Sequence, residues 1–170
     1  NPEGEQGLQI GRLISNRALG KDVPGMTVNR YCASGLETIS IAVAKIRAGM
    51  GHCYVAGGAE SMSLIPMTGY KLAPNYNIAK DTPDYLVGMG LTAEAVSKKW
   101  EISREAADEF SVRSHQKAAA AIDAGKFKAE IVPVQVPEVW VENDKRKERS
   151  NTVDTDEGVR RDTTAEGLAK

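Results

Sequence analysis

The stretch from Met26 to Gly58 constrains the fold more than any other part of the chain. Met26-Thr27-Val28-Asn29-Arg30-Tyr31 is rich in strand formers and runs straight into Cys32-Ala33-Ser34-Gly35. Leu36, Ile39, Val43 and Ile46 then recur at helical spacing, and Gly49 with Gly51 closes the run. His52-Cys53-Tyr54-Val55-Ala56 follows as an uninterrupted apolar strand of the kind buried in a sheet with both faces covered, stopping at Gly57-Gly58. Upstream, Ile10, Leu13, Ile14 and Ala18 predict a helix within residues 5–19, ended by Gly20. Such an order of helix, strand, sharp turn, helix and strand implies an α/β layered domain.

The character of the sequence changes near residue 64. Between Leu64 and Gly90 stand Pro66, Pro74 and Pro83 among Gly, Asn and Tyr, which reads as irregular loop. A helix is expected from Thr92 to about Trp100. A longer one opens with Ser103 as N-cap and Glu105 in its first turn, and closes at Gly125. Its inward stripe is Ala107, Phe110, Ser114, Ala118, Ala121 and Ile122. Residues 132–141 alternate at period two, with Pro133 and Pro137 demoting them to an edge strand or loose ribbon. The charged run Glu142 to Ser150 reads as a solvated turn, after which Asn151-Thr152-Val153-Asp154 could return as a second strand.

Composition excludes several classes. The chain has 170 residues, 22 basic against 23 acidic, and 5% aromatic, which is neither a disordered acidic tail nor a basic nucleic-acid binder. Its length suggests one domain with a real core. No apolar run approaches the ~20 residues of a bilayer span, and no secretory leader is evident, so a soluble intracellular protein is expected. Asn1-Pro2-Glu3-Gly4 lacks an initiator methionine and leaves open that this is part of something longer. Two cysteines and two histidines are too few for a disulfide framework or a zinc site.

Cys32 stands between a strand and the first turn of a helix, where unsatisfied N–H groups and the positive end of the helix dipole favour thiolate, the nucleophilic form. Gly35 leaves room for a ligand or another backbone. The competing reading is a buried cysteine acting as a small hydrophobe, and position alone does not decide. Cys53, within an apolar strand, reads as core. His115 reads as a surface histidine, His52 as the end of a helix or a base, and Glu60 as a helix-start charge or a network carboxylate. Gly57-Gly58 lacks the spacing of a dinucleotide site.

Taken together, Val28-Asn29-Arg30-Tyr31-Cys32-Ala33-Ser34-Gly35-Leu36 and Val55-Ala56-Gly57-Gly58-Ala59-Glu60-Ser61-Met62-Ser63 resemble the nucleophile segment and following strand-turn of the thiolases. Met89-Gly90-Leu91-Thr92-Ala93-Glu94, Ile102-Ser103-Arg104-Glu105 and Asp154-Thr155-Asp156-Glu157 with Arg160 resemble that family's loop domain. The five segments fall in the family's order, and the resemblance runs through the whole chain. It implies a thiolase-like layered fold: an incomplete N-terminal core with the nucleophile cysteine at residues 1–64, and the loop domain, on the substrate and CoA side, at 65–170.

The resemblance also implies an acyltransferase of fatty-acid β-oxidation. Cys32 would attack a 3-ketoacyl-CoA, acetyl-CoA would leave, and a second CoA would take the acyl group from sulfur, or the reverse condensation would run. Met89 resembles residues lining the pantetheine tunnel. Arg160 matches an arginine near the nucleotide end of CoA, against the alternative of an exposed charge beside Arg161. Coenzyme A thioesters are the substrates implied, with no metal or redox cofactor. A homodimer or homotetramer is the implied assembly, with neither nucleic acid nor a membrane span, in a bacterial cytoplasm or, in a eukaryote, an organelle matrix.

Gly88 stands where acetoacetyl-CoA thiolases often carry histidine, which favours the degradative, broad-chain-length type. The family's base histidine and second cysteine are expected beyond Lys170, and neither His52 nor His115 lies in a matching segment. The first strand of the family's N-terminal domain is likewise not found before Asn1. An isolated chain of this kind is expected to be inactive or nearly so. Rival readings are a related condensing enzyme of the ketoacyl synthase or hydroxymethylglutaryl-CoA synthase type, and a non-catalytic dimerising module.

Overall fold

The computed structural model describes residues 1–170. The chain divides into two compact units, Asn1–Leu86 and Val87–Lys170. In the first, a 3-10 turn at Gly4–Gln6 precedes α1 (Ile10–Ala18), α2 (Ser34–Arg47), α3 (Tyr76–Asp81) and a second 3-10 turn at Pro83–Leu86. The second contains α4 (Met89–Lys99), α5 (Arg104–Asp123), strands β1 (Val134–Glu142) and β2 (Lys145–Val153), and the one-turn helix α6 (Ala165–Leu168).

The helices sit where periodicity and end signals place them. Gly20, Gly49 and Gly125 follow α1, α2 and α5 with φ of 97°, 70° and 67°, the left-handed conformation that stops a helix and that glycine adopts without a Cβ penalty. Ser103 Oγ accepts from Ala106 N–H at 3.2 Å and caps α5. One expectation needs correction. Residues 64–90 are not wholly irregular, because Asn75 Oδ1 accepts from the N–H groups of Asn77 (3.0 Å) and Ile78 (3.2 Å) and starts α3.

Segments 26–31 and 52–56 form no paired strand; the first has only an isolated bridge between Arg30 and Cys32. A strand satisfies only part of its backbone until another lies beside it, and no segment of this chain does so. Cys53 and His52 are accordingly exposed rather than in a core. Burial is sparse throughout. Ile65 is the only buried apolar residue, and Gln6 and Ser15 are the only buried polar ones. The expectation of a real core is therefore not met: Leu36, Ile39, Val43 and Ile46 line one face of α2, and all four remain exposed.

Order in the first unit rests instead on close backbone approach and polar ties. A Cβ on Gly11 would lie 2.8 Å from the Met26 carbonyl carbon and nearer still to its oxygen, and one on Gly25 would lie 2.5 Å from the Gly11 oxygen. Residues 25–27 can therefore lie against the start of α1. Gly11 N–H donates to Thr27 Oγ1 and Thr27 N–H to Gln9 Oε1, both at 3.0 Å, and Ser15 Oγ donates to the Val23 carbonyl at 2.8 Å. The stretch after residue 64 is also held in this unit. Asn1 Nδ2 donates to the Pro66 and Met67 carbonyls, and Tyr70 N–H donates to Glu3 Oε2.

In the second unit β1 and β2 pair antiparallel over all nine residues, Val134 opposite Val153 and Glu142 opposite Lys145. The turn is only Asn143-Asp144, at φ 51° and 56°. Positive φ at both central residues is the two-residue hairpin turn whose twist matches that of the strands, and Asn and Asp tolerate it. The charged run read as a turn is thus mostly strand. Arg149 reaches Glu138 and Lys147 reaches Glu142 across the ladder, and Arg149 also lies 5.7 Å from the centre of the Trp140 ring.

Candidate active site

The turn carrying Cys32 is built by its neighbours. Ser34 Oγ accepts from Arg30 N–H at 2.8 Å and donates to the Tyr31 carbonyl at 2.7 Å. Ala33 N–H donates to the Arg30 carbonyl at 3.1 Å, and Ser34 N–H to that of Tyr31 at 3.0 Å. Closing so tight a loop puts Tyr31 at φ 49°, the left-handed region, which a bulky residue enters only at a cost of about 1–3 kcal/mol. The strain sits one residue before the cysteine.

Cys32 is exposed and lies immediately ahead of Ala33, the N-cap of α2. Ala33 offers no side-chain acceptor, so no side chain caps the first turn. The 14-residue helix therefore begins, one residue after Cys32, without a side-chain cap on its first-turn N–H groups. A Cβ on Gly35 would meet nothing within 4 Å, so the approach to that first turn is open. Glu37, the one acidic residue of that turn, is drawn off by Arg30 at 2.5 Å. Together these features make an accessible thiol beside donors able to hold an oxygen that acquires negative charge.

Glu60 belongs to a polar network. Gln6, buried, donates from Nε2 to Glu60 Oε1 at 2.6 Å and to the Asn1 carbonyl at 2.7 Å, while its Oε1 accepts from Ser61 N–H. Gln6 had no signal in the sequence, because a lone glutamine ahead of a helix does not announce a long-range partner.

The other two expected site residues lie in the second unit. Met89 is the first residue of α4 and is exposed. Arg160 lies in the segment between β2 and α6, where its N–H donates to His115 Nδ1 on α5 at 3.1 Å and its carbonyl accepts from Thr163 Oγ1 at 2.9 Å. Arg161, by contrast, is committed to Asp123 through two bonds of 3.0 and 2.9 Å. His115 is only half-buried, not simply a surface residue, and its contact 45 positions away could not be read from helical spacing.

Cys32 is thus an exposed thiol at the entry of a helix, next to a strained turn. The family described as "Thiolase, N-terminal domain" matches residues 3–170, and the chain belongs to the thiolase family. It is 50% identical over 170 residues to a 3-ketoacyl-CoA thiolase of Bacillus subtilis, covering 99% of this chain and 44% of that protein. It is 44% identical over 163 residues to the peroxisomal 3-ketoacyl-CoA thiolase of Homo sapiens, covering 95% and 37%. In structure it is similar to the dimeric peroxisomal thiolase of Saccharomyces cerevisiae, with TM-score 0.73 and 30% identity over 89% of this chain and 37% of that one. The layered thiolase fold class is thereby established, and the chain spans less than half the length of these relatives.

Proposed function

We propose that this chain supplies the nucleophile of a thiolase that cleaves 3-ketoacyl-CoA to acetyl-CoA and a shortened acyl-CoA. The observation that carries the reading is the exposed Cys32 beside the uncapped start of α2, within a family whose similar members are named for this substrate. Residues 1–64 act as the nucleophile-bearing part of the core and 65–170 as the loop domain.

The chemistry follows from the groups present. Cys32 sulfur adds to the 3-keto carbon, whose oxygen takes the negative charge near the helix N–H groups. The bond between the second and third carbons then breaks, its electron pair passes to the second carbon, and a proton added there yields acetyl-CoA. The shortened acyl group stays on sulfur until the thiol of another CoA takes it and frees the cysteine. Proton transfers at that second carbon require a base and an acid.

Met89 lines the pantetheine path, and Arg160 takes the nucleotide end of CoA. Arg160 suits this because its backbone is pinned on both sides while its guanidinium makes no ion pair, whereas Arg161 is occupied by Asp123. Free coenzyme A and its thioesters are the only small molecules this chemistry requires. The working assembly is a homodimer or homotetramer, as the Saccharomyces relative is described as dimeric. No helix is long and apolar enough to cross a membrane, and the reading places the enzyme in bacterial cytoplasm or an organelle matrix.

Two measurements test the proposal. An enzyme joining this chain to the remaining length of the Bacillus relative should trap an S-acyl group on Cys32 when given a 3-ketoacyl-CoA, and Cys32→Ala should abolish both the adduct and thiolysis. Turnover persisting in Cys32→Ala would refute the assignment. The 170-residue polypeptide by itself should show no thiolysis of acetoacetyl-CoA; activity that Cys32→Ala removes would refute that part.

A further inference from the structure

The segment after β2 is fastened along α5 at three points. Arg104, at the start of α5, donates from its Nη2 to the Leu168 carbonyl, His115 Nδ1 accepts from Arg160 N–H at 3.1 Å, and Asp123, at the end of α5, takes both Nη atoms of Arg161. The segment therefore runs antiparallel to the helix. The outer two ties use long, exposed side chains, each free to swing with little effect on the backbone it holds.

The middle tie is different. The imidazole is short, half-buried and carried by a helix, and like Arg104 it grips the main chain, here an N–H. Because that N–H belongs to Arg160, the bond sets where the arginine Cα sits and how its side chain departs. Thr163 Oγ1 holds the carbonyl of the same residue. As an acceptor, Nδ1 carries no proton, so in the neutral ring the hydrogen is on Nε2.

We propose that His115 is a positioning residue for Arg160: its Nδ1 fixes the Arg160 backbone so that the unpaired guanidinium is aimed at the anionic, adenine-bearing end of a CoA thioester. The proposal rests on the reading of Arg160 as a CoA contact. Asn is the informative substitute, since its Oδ1 stands in for Nδ1 as an acceptor, and Leu is the one that removes the acceptor while keeping bulk.

The test uses the 15N-labelled 170-residue chain with CoA as the probe. His115→Leu should speed Arg160 amide exchange about tenfold, an effect of local opening, and weaken CoA binding about threefold or more, while α5 amides keep their protection. His115→Asn should return both to about wild-type values, and a long-range 1H–15N spectrum of the wild type should show the Nε2–H tautomer. Unchanged Arg160 exchange in His115→Leu overturns the proposal, as does failure of His115→Asn to restore it, which would mark a packing role. Arg160→Ala separates the two layers: CoA binding absent in the wild type, or unaffected by Arg160→Ala, removes the CoA reading of Arg160, and the exchange series then decides whether His115 positions that backbone at all.

Discussion

Residues 134–153 and residues 26–58 both carry strand-forming runs, yet only the first becomes a sheet. β1 contains Pro137, and β2 is Lys-Arg-Lys-Glu-Arg-Ser-Asn-Thr-Val, a poor strand on propensity and exposed throughout. Segment 52–56 is the better strand by composition and stays unpaired. What separates them is the distance to a partner. The hairpin closes across two residues, Asn143 and Asp144, so each ladder bond is gained at little loop entropy, whereas a buried strand of the parallel kind needs neighbours supplied by distant crossovers. Availability of a partner outweighs intrinsic preference at this scale.

The comparison can be broken first at α1, where residues leading to Cys32 are held without a sheet. Gly11→Ala places a methyl against the Met26 carbonyl, and neither backbone can move without losing the Gly11 to Thr27 bond. The expected destabilisation of this packing is about 1–3 kcal/mol, read as loss of Thr27 amide protection in hydrogen exchange. Wild-type protection at Thr27 in the variant would show that segment 25–27 is not anchored by α1.

At the hairpin the turn can be both weakened and improved. Asn143→Val forces a β-branched residue to positive φ, a cost of about 1–2 kcal/mol, and should lower the protection of the Trp140 and Glu142 amides, which lie at the hydrogen-bonded positions of the ladder. Asp144→Gly creates the Asn-Gly pair that this turn favours, and should stabilise the hairpin by about 0.5 kcal/mol, seen as slower exchange at the same amides. If both substitutions leave exchange unchanged, the ladder is not closed by its turn.

Legibility followed the same division. Helices α1, α2, α4 and α5 were readable because every backbone bond lies within the segment, so the periodicity of Leu36, Ile39, Val43 and Ile46 and the stop at Gly49 suffice. The sharp turn around Cys32 was legible for a related reason: the Ser34 and Tyr31 bonds that shape it span three or four residues. The ties that organise the rest span 45 to 67 positions, as with His115 to Arg160, Gln6 to Glu60 and Glu3 to Tyr70, and no local pattern encodes them. Burial of residues 52–56 was misjudged because an apolar run records what a segment needs, not whether this chain provides it.

The smallest expected effect concerns the Asp123 to Arg161 pair, an exposed contact whose worth is further screened by salt. Hydrogen bonding to Arg161 holds the Asp123 carboxyl below its usual range. A carboxylate lowered in the folded state binds protons less readily there than when unfolded, so the contact's contribution is present above the ordinary carboxylate range and lost as pH falls through the lowered value. Arg161→Ala should therefore move the Asp123 titration, followed by its side-chain carbonyl 13C shift, upward to the ordinary range, and added salt should move the wild type part of the way. A wild-type titration that Arg161→Ala leaves in place would mean that the arginine does not hold Asp123, and that the segment after β2 depends on His115 and Arg104 alone.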